Sequence, residues 1–304
     1  MALYNKITII GLGLIGSSIA RGIKEKKIAK YLHAYEENAV FVKTINDLSL
    51  VDVLATDLIS AVENADLIIL ATPVGAYENI GKIIGSHIKE GATLSDVGSI
   101  KAAVFGMLEP SLSEKVHFIP AHPVAGTEKS GPAAGFSSLF HDRWAIITPA
   151  KGTDTQALEK LTTFWEMLGS NVEIMNADHH DKVLAITSHV PHLIAYNIVG
   201  TARDLEEVTK SEVIKFSAGG FRDFTRIAAS DPTMWRDVFL NNKEAVLEML
   251  GRFSEDLTAL QRAIRWEDGD ALYDIFEKTR RIRKQIIDAG QEEDLENFGR
   301  SSDD

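Results

Sequence analysis

The chain has 304 residues, of which 45% are hydrophobic and 25% charged, with a formal net charge of −12 and no cysteine. This length favours two domains, the lack of cysteine excludes disulfides and thiolate chemistry, and the acidic balance argues against nucleic-acid binding. No apolar run reaches the roughly 18–20 residues of a membrane span. The N-terminus "MALYNKITII" has no signal-peptide pattern, so we expect a cytoplasmic protein that binds no membrane.

The first half of the sequence alternates β-rich runs with amphipathic helices. Strands are predicted, in chain order, over residues 6–11, 31–36, 66–73, 92–98, 116–123 and 144–149, and near 171–175. Several are apolar throughout, which is typical of parallel strands covered on both faces. A helix over 154–169 begins at a cap residue, Asp154. Residues 1–175 are therefore predicted to form a doubly wound α/β domain of the Rossmann type.

Strand patterns stop at about Asn176, and long amphipathic segments follow. Residues 176–290 are accordingly predicted to form an all-α domain. Its apolar faces are too extensive for about 115 residues to cover, which indicates a partner subunit. The last residues, 291–304, are acidic and polar, and they are predicted to be a disordered tail.

The segment "IIGLGLIGSS" carries three glycines in the G-x-G-x-x-G spacing. It follows an apolar strand and opens a helix, and Glu36 ends the second predicted strand twenty residues after the last glycine. This context predicts a dinucleotide-binding unit with the pyrophosphate at the helix N-terminus, a cofactor-free glycine turn being the alternative. Glu36 favours NAD over NADP, because a carboxylate binds ribose hydroxyls and repels a 2′-phosphate. The expected cofactor-binding residues here are Gly11, Gly13, Leu14, Ile15, Gly16 and Glu36.

Three loops that follow predicted strands carry further candidates. In "ATPVGAY" and "SDVGSIK", the residues best placed to contact the nicotinamide end are Thr72, Pro73 and Ser99. Thr72 could equally belong to an ordinary turn, and Ser99 could cap the next helix. In "PAHPVAGTEKSGP" (120–132), Pro and Gly should form a rigid turn that holds His122 just past a strand end, where open α/β sheets bind ligands.

The stretch "SHVPHLIAY" places Ser188, His189 and His192 within one and a half turns of a helix. Two histidines could be half a metal site, but no third ligand follows at a suitable spacing and no H-E-x-x-H is present, so no metal is predicted. His189 is expected to satisfy a hydrogen bond in the core, and His192 to face the cleft. His179 and His180, at the start of that helix, are expected to face solvent.

Arg222 and Arg226 are four residues apart and share one face if the segment is helical. Guanidinium groups are planar forks for carboxylates, and an acidic protein with an anionic substrate needs such a fork. The alternative is surface ion pairing with Asp223 or Asp231. Trp235 could wall the pocket, but core packing is the expectation.

Taken in order, "GLGLIGSS", "ATPVGAY", "SDVGSIK", "HPVAGTEKSGP", "SHVPHLIAY" and "GGFRDFTRIAASDPTMW" resemble the prephenate/arogenate dehydrogenase family of tyrosine biosynthesis over about residues 5–290. The resemblance implies a Rossmann domain, a helical dimerisation domain, a homodimer, and an active site in the cleft between domains. It implies NAD-dependent oxidative decarboxylation of prephenate to 4-hydroxyphenylpyruvate, of arogenate to tyrosine, or of both. Neither a regulatory ACT domain after residue 290 nor a chorismate mutase before residue 5 is expected.

The same resemblance implies roles for individual residues. His122 is expected to accept the proton of the substrate hydroxyl, with Ser99 as its partner at that hydroxyl. Arg226 is expected to bind a carboxylate of a small dicarboxylate substrate. Further substrate contacts are expected from Arg222, His192, Ser188, Thr127 and Glu128.

Two other functions compete with this interpretation. A 3-hydroxyacid-type NAD dehydrogenase would need a catalytic lysine near the position of Lys182, whereas a non-catalytic NAD-binding regulator would require neither His122 nor the arginines. The residues do not separate prephenate from arogenate, and they do not define inhibition by tyrosine.

Overall fold

The computed structural model describes residues 2–127, 129–209 and 215–288, without the side chains of 205–209. The chain forms two compact units, Met1–Leu247 and Glu248–Asp304. Glu128 and the predicted tail over 291–304 lie outside the described residues.

The strands of the described residues form two sheets. In chain order they are β1 Tyr4–Ile10, β2 Ala29–Tyr35, β3 Val53–Leu54, β4 Leu67–Leu70, β5 Thr93–Asp96, β6 His117–Phe118, β7 Ala121–Pro123, β8 Trp144–Ile147 and β9 Asn171–Ile174. The larger sheet has the order β3-β2-β1-β4-β5-β6, and all its pairings are parallel. This order confirms the predicted Rossmann-type sheet, and it reverses between β1 and β4, where such folds bind dinucleotides.

The predicted strand over 116–123 is wrong as a single strand. The structure divides it into β6, at the edge of the larger sheet, and β7, which pairs antiparallel with β8 in the smaller sheet. Pro120 lies at the division and has no N–H for a ladder hydrogen bond. His122 therefore lies within β7, and not in a loop past a strand end. β3 was not predicted, because it has only two residues.

Both faces of the larger sheet are covered, as the continuous apolar strands predict. Along β4, Leu67 and Ile69 pack into one core cluster, and Ile68 and Leu70 pack into the other. Trp235 is buried in the second cluster, which confirms its expected core position.

The helices begin at residues that the sequence makes suitable for them. They are α1 Leu14–Lys26, α2 Ala39–Asp47, α3 Leu58–Val62, α4 Tyr77–Ile84, α5 Ala102–Leu108, α6 Thr155–Met167, α7 Ala177–Leu184, α8 Val190–Thr209, α9 Gly219–Thr225, α10 Pro232–Asn241, α11 Lys243–Arg265 and α12 Gly269–Asp288. Short 3-10 helices cover Val74–Ala76, Gly85–His87, Glu109–Ser111, Pro132–Ala134 and Arg226–Ala229, and a π-helical turn covers Ala185–His189.

Side-chain caps explain several of these boundaries. Asp154 accepts the Ala157 N–H and begins α6, as predicted. Asn176 accepts two N–H groups at the start of α7, where the strand patterns stop. Asp231 caps α10 in the same way. These side chains satisfy backbone donors that the first helical turn leaves without partners.

The helical run Ala177–Asp204 is long and apolar enough to cross a membrane by length and composition, with a mean hydropathy of 1.3 in its most apolar window. Core helices pass the same test, so this is weak evidence for a membrane span. Within the run, His180 and His189 are buried and hydrogen-bonded to protein groups, as a core helix requires.

Candidate active site

The three glycines of the loop after β1 have different structural reasons. A Cβ on Gly16 would lie 2.1 Å from the Gly11 carbonyl oxygen, and Gly11 itself has a φ of +89°. Only glycine fits such positions without strain. At Gly13, the cap of α1, a Cβ would meet no protein atom within 4 Å. The helix N-terminus is therefore open in front of Gly13, as a bound pyrophosphate requires.

Glu36 lies beside this loop, directly after β2. Its Oε2 accepts the Leu12 N–H at 2.8 Å, and its Oε1 accepts the Asn38 N–H at 2.9 Å. Leu14 and Ile15, the first residues of α1, are half-buried at the same place. The carboxylate is thus held next to the glycine loop, which is where the acid that binds the adenosine ribose is found in dinucleotide-binding folds.

The loop after β4 adds a polar group on the other side of the glycine loop. The Oγ1 of Thr72 is buried and has no hydrogen-bond partner among the described residues. A Cβ on Gly11 would lie 2.8 Å from the Cγ2 of Thr72, so the two loops are in contact. Pro73 is exposed. A buried hydroxyl without a partner is costly, and a cofactor bound at this loop would supply one.

An ion pair that the sequence analysis missed lies after β5. Asp96 and Lys101 both have side chains with 0% exposure, and Nζ of Lys101 lies 2.5 Å from Oδ2 of Asp96. The same Nζ donates to the Ala121 carbonyl at 2.9 Å, and Tyr77 and the Gly98 N–H also donate to Asp96. Burial lowers the pKa of Lys101, an effect that the Asp96 charge opposes. The pair fixes β7, and with it the neighbouring His122, to the end of β5.

His122 is 6% exposed and belongs to a chain of hydrogen-bonded side chains. Its Nδ1 lies 2.8 Å from Nε2 of His180, and Nδ1 of His180 lies 2.8 Å from Oδ1 of Asp181. Asp181 also accepts the N–H groups of Lys101 and Ala102 at 2.7 and 2.9 Å. Nε2 of His122 has no hydrogen bond to the described residues, which leaves this nitrogen to meet a ligand.

The pKa of His122 lies well below its ordinary value, because burial opposes the charged form and His180, Lys101 and His189 oppose it further. Burial also lowers the pKa of His180, with its hydrogen bond to Asp181 acting in the opposite direction. His122 is therefore neutral at neutral pH, as a general base must be.

The expectation that His180 faces solvent is wrong. His180 has 0% exposure, whereas its neighbour His179 is exposed, as predicted. A polar ring can be buried when both of its nitrogens have partners, and His180 has His122 on one side and Asp181 on the other. Successive residues on a helix point in different directions, so one histidine is inside and the other outside.

Ser99 lies half-buried in the loop between β5 and α5. It does not cap α5, because the cap position is Lys101 and no side chain hydrogen-bonds there. Its backbone interacts with His189. The loop thus brings Ser99 to the buried histidine cluster, while its proposed contact with a substrate hydroxyl stays a prediction.

His189 is a buried core residue, as expected, with 0% exposure. The amide of Asn242 lies 3.1 Å from its Nδ1, and the same amide donates to the Asp181 carbonyl at 2.9 Å. Burial lowers the pKa of His189 to about 4, although the charge of Asp181 and the backbone of Ser99 act in the opposite direction. A third neutral imidazole therefore lies beside the His122–His180 pair.

His192 is half-buried and stacks on Trp235, with ring centroids 3.8 Å apart. Its Nδ1 lies 2.8 Å from the Ser188 carbonyl, which can only accept, so Nδ1 carries the proton of the neutral ring. Burial lowers the pKa of His192, and the nearby Arg226 lowers it further. Pro191 lies just after the π-helical turn Ala185–His189, a widened geometry often found at functional sites.

The two arginines occupy different environments. Arg226 is half-buried at the start of a 3-10 helix and close enough to affect His192, whereas Arg222 is exposed on α9. Thr127 is exposed, and its Oγ1 accepts the Lys129 N–H at 3.2 Å. The structure thus brings Ser188, His192 and Arg226 together with Trp235. The contributions of Arg222 and Thr127 stay predictions.

No group of three or more His, Asp or Glu side chains within the described residues is arranged to hold a metal ion.

The strand order, the glycine loop and Glu36 define the first part of the chain as the cofactor-binding part of a Rossmann-type, NAD-dependent dehydrogenase. Residues 19–174 match the family model described as the nucleotide-binding domain of prephenate dehydrogenase, and residues 176–278 match the model of its dimerization domain. The chain belongs to the prephenate dehydrogenase family, and the predicted resemblance is confirmed. The predicted domain boundary at residue 175 stays a prediction.

Several relatives are similar over nearly the whole chain. The cyclohexadienyl dehydrogenase of Zymomonas mobilis is 39% identical over 93% of this chain and 96% of its own, and the prephenate dehydrogenase of Bacillus subtilis is 34% identical over 91% and 75%. A crystal structure of Aquifex aeolicus prephenate dehydrogenase with hydroxyphenyl propionate and NAD+ has a TM-score of 0.86, 33% identity, and coverage of 93% and 98%. The arogenate dehydrogenase of Synechocystis has a TM-score of 0.76 and 25% identity, with coverage of 92% and 99%.

Proposed function

We propose that this protein catalyses the NAD-dependent oxidative decarboxylation of prephenate, of arogenate, or of both, in tyrosine biosynthesis. The observation that carries the proposal is the state of His122: a neutral, buried imidazole whose Nδ1 is occupied by His180 and whose Nε2 has no protein partner. It is held to the end of β5 by the Asp96–Lys101 pair, and so belongs to the cofactor-binding part of the chain.

The glycine loop fits NAD. The space in front of Gly13 admits the pyrophosphate, Glu36 accepts hydrogen bonds from the adenosine ribose, and the buried hydroxyl of Thr72 gains a partner. When bound, NAD+ supplies the acceptor for the hydride that leaves C4 of the substrate ring. Glu36 disfavours NADP, since its carboxylate would face the 2′-phosphate.

His122 moves one proton in this reaction. As C4 of the cyclohexadienol becomes a carbonyl carbon, Nε2 of His122 takes the proton of the C4 hydroxyl. The ring carboxylate then leaves as CO₂, its bonding electrons make the ring aromatic, and the C4 oxygen regains the proton as a phenol hydroxyl. The imidazole is thus restored at the end of each turnover. Aromatisation provides the driving force, so the protein contributes mainly position and proton transfer.

Arg226 is the residue that we propose to bind a substrate carboxylate. It lies beside the neutral ring of His192, which is stacked on Trp235. A guanidinium in a partly buried place with a neutral neighbour can offer its fork to an anion. Ser188, His192, Arg222, Thr127 and Glu128 are proposed as further substrate contacts, and Ser99 as a contact of the reacting hydroxyl.

A 3-hydroxyacid-type reaction is disfavoured. Its catalytic lysine would have to be Lys182, which is exposed on α7, whereas His180 and Asp181 beside it are buried. A non-catalytic regulator would not need a buried neutral imidazole held by two further side chains.

We propose a cytoplasmic homodimer formed through the helical part of the chain. The second compact unit exposes large apolar side chains on α11 and α12, among them Ile264, Tyr273 and Phe276, which are 64%, 69% and 56% exposed. Exposed apolar surface of this extent is typical of protein–protein interfaces.

The test is NADH formation with purified prephenate and arogenate, each with NAD+ and NADP+. The wild-type protein should reduce NAD+ with at least one of the substrates. His122→Asn should bind NAD+ normally by calorimetry but lose roughly 10²- to 10⁴-fold in kcat, the usual contribution of a general base. The exposed His179→Asn is the matched control. No turnover of either substrate by the wild-type protein, or a normal kcat in His122→Asn, would refute the proposal.

A further inference from the structure

The hydrogen bonds behind His122 determine where its proton lies. Both oxygens of Asp181 accept backbone N–H groups, so its Oδ1 meets Nδ1 of His180 as an acceptor. Nδ1 of His180 must then carry the proton, and Nε2 of the neutral ring is an acceptor. This nitrogen lies 2.8 Å from Nδ1 of His122, which in turn must be the donor. The lone pair of neutral His122 is therefore on Nε2.

We infer that His180 and Asp181 are positioning residues for the proton transfer: they hold neutral His122 in its Nδ1–H tautomer, with the Nε2 lone pair toward the substrate, and they compensate the charge that His122 gains. This inference rests on the proposed function. It explains why the chain buries a second histidine and an aspartate behind a base that could accept a proton without them.

The surroundings make this compensation necessary. Lys101 and His189 also face the cluster, and both disfavour a positive charge on His122. The Lys101 charge is largely balanced by Asp96, which lies 2.5 Å from its Nζ. Asp181 is the negative group on the far side of His180, and a carboxylate that orients an imidazole in this way also stabilises the imidazolium. The base is thus neutral at rest and tolerates a proton during turnover.

Three substitutions separate orientation from packing. Asp181→Asn can present its NH₂ group to His180, which would reverse the tautomers of both rings and turn Nε2 of His122 into a donor. His180→Gln places an amide oxygen where Nε2 of His180 now accepts, so it should preserve the His122 tautomer. His180→Leu removes the acceptor altogether. His179→Gln changes the exposed neighbour and is the matched control.

Tautomers can be read by NMR without turnover. The chain has nine histidines, and the ring nitrogens of His122 in ¹⁵N-histidine-labelled protein are identified by their loss in His122→Asn. Nδ1 should carry the proton in the wild-type protein and in His180→Gln, and Nε2 should carry it in Asp181→Asn. A wild-type His122 protonated on Nε2 would overturn the inference.

Steady-state kinetics supply the second measurement. Asp181→Asn should lower kcat by roughly 10²- to 10⁴-fold, the range for loss of a general base, with KM changed less than threefold. His180→Gln should retain at least ten times the kcat of His180→Leu. Equal kcat values in these two variants, or a wild-type kcat in Asp181→Asn, would contradict the inference. If the wild-type protein turned over neither substrate, the proposed function would fail, while the NMR experiment would still decide the tautomer.

Discussion

Acidification is expected to destabilise the protein through its buried histidines, and His189 allows the size of the effect to be calculated. Its pKa is about 4 in the folded protein, against the ordinary value of 6.5. Below pH 6.5 the unfolded chain binds a proton that the folded protein does not, so stability is lost as the pH falls toward 4. Each pH unit is worth about 1.4 kcal/mol. His189 alone should therefore cost about 2 kcal/mol at pH 5 and about 3 kcal/mol at pH 4.

His122 and His180 act in the same direction. The pKa of each is lowered, with burial as the first cause, and both rings lie in the same cluster as His189. Each of these rings also adds to the acid sensitivity below pH 6.5, so the wild-type protein should lose more than His189 accounts for. Against a total stability of about 5–15 kcal/mol for a typical protein, the losses are large enough to measure.

The assay is urea unfolding between pH 7.5 and pH 5, followed by fluorescence and circular dichroism to test for a two-state transition. His189→Gln should lose about 2 kcal/mol less over this range than the wild-type protein, whatever its stability at pH 7.5. His179→Gln, with its exposed side chain, should show the wild-type dependence. Identical pH dependence in His189→Gln and the wild-type protein would refute the reasoning.

Three further predictions concern the ligands. Glu36→Ser should reduce the preference for NAD+ over NADP+, measured as the ratio of kcat/KM values, because it removes the repulsion of a 2′-phosphate; an unchanged ratio would count against the ribose contact. Arg226→Ala should raise KM roughly 10- to 100-fold through loss of a charged hydrogen bond, and a collapse of kcat at constant KM would contradict a carboxylate-binding role. Gly16→Ala should destabilise the fold by about 1–3 kcal/mol, because its Cβ meets the Gly11 carbonyl, whereas Gly13→Ala should leave stability within about 1 kcal/mol and weaken NAD+ binding in calorimetry. Equal stability losses in the two alanine variants would show that the loop is not built in this way.

Local sequence context was sufficient for the cofactor half of the site. The glycine spacing and Glu36 are read within one βαβ unit, so neighbouring residues in the chain specify their geometry. The buried Asp96–Lys101 pair was missed, although both residues lie in the quoted segment "SDVGSIK". A lysine in a loop is normally exposed, and it is buried almost only when paired. The one available signal was an aspartate at the end of an apolar strand, five residues before that lysine.

The support behind His122 could not be obtained from neighbouring residues. His180 is 58 positions away from His122 in the chain, and Asp181 is 80 positions away from Lys101. The segment "DHHD" gives two adjacent histidines at the start of a helix, and periodicity does not decide which of them is inside. Only the packing of α7 against the loop after β5 makes His180 the buried one. The division of residues 116–123 between two sheets is a tertiary effect of the same kind, although Pro120 was a visible warning.

The arrangement of charges explains how one site can hold a neutral base close to a buried cation. A buried ion pair adds little net stability, since the desolvation of both ions offsets their attraction, but removal of one partner leaves an uncompensated charge. Asp96 and Lys101 therefore act mainly as a fixed link between β5 and β7, with further donors from Tyr77 and the Gly98 N–H. Because the cation is already balanced, its effect on His122 is limited to keeping the ring neutral at rest. The uncompensated need arises only when His122 takes a proton, and Asp181, bound to the first residues of α5 and to His180, is the group placed to meet it. A substitution in the first pair should thus disturb folding before chemistry, whereas a substitution in Asp181 should disturb chemistry while the fold persists.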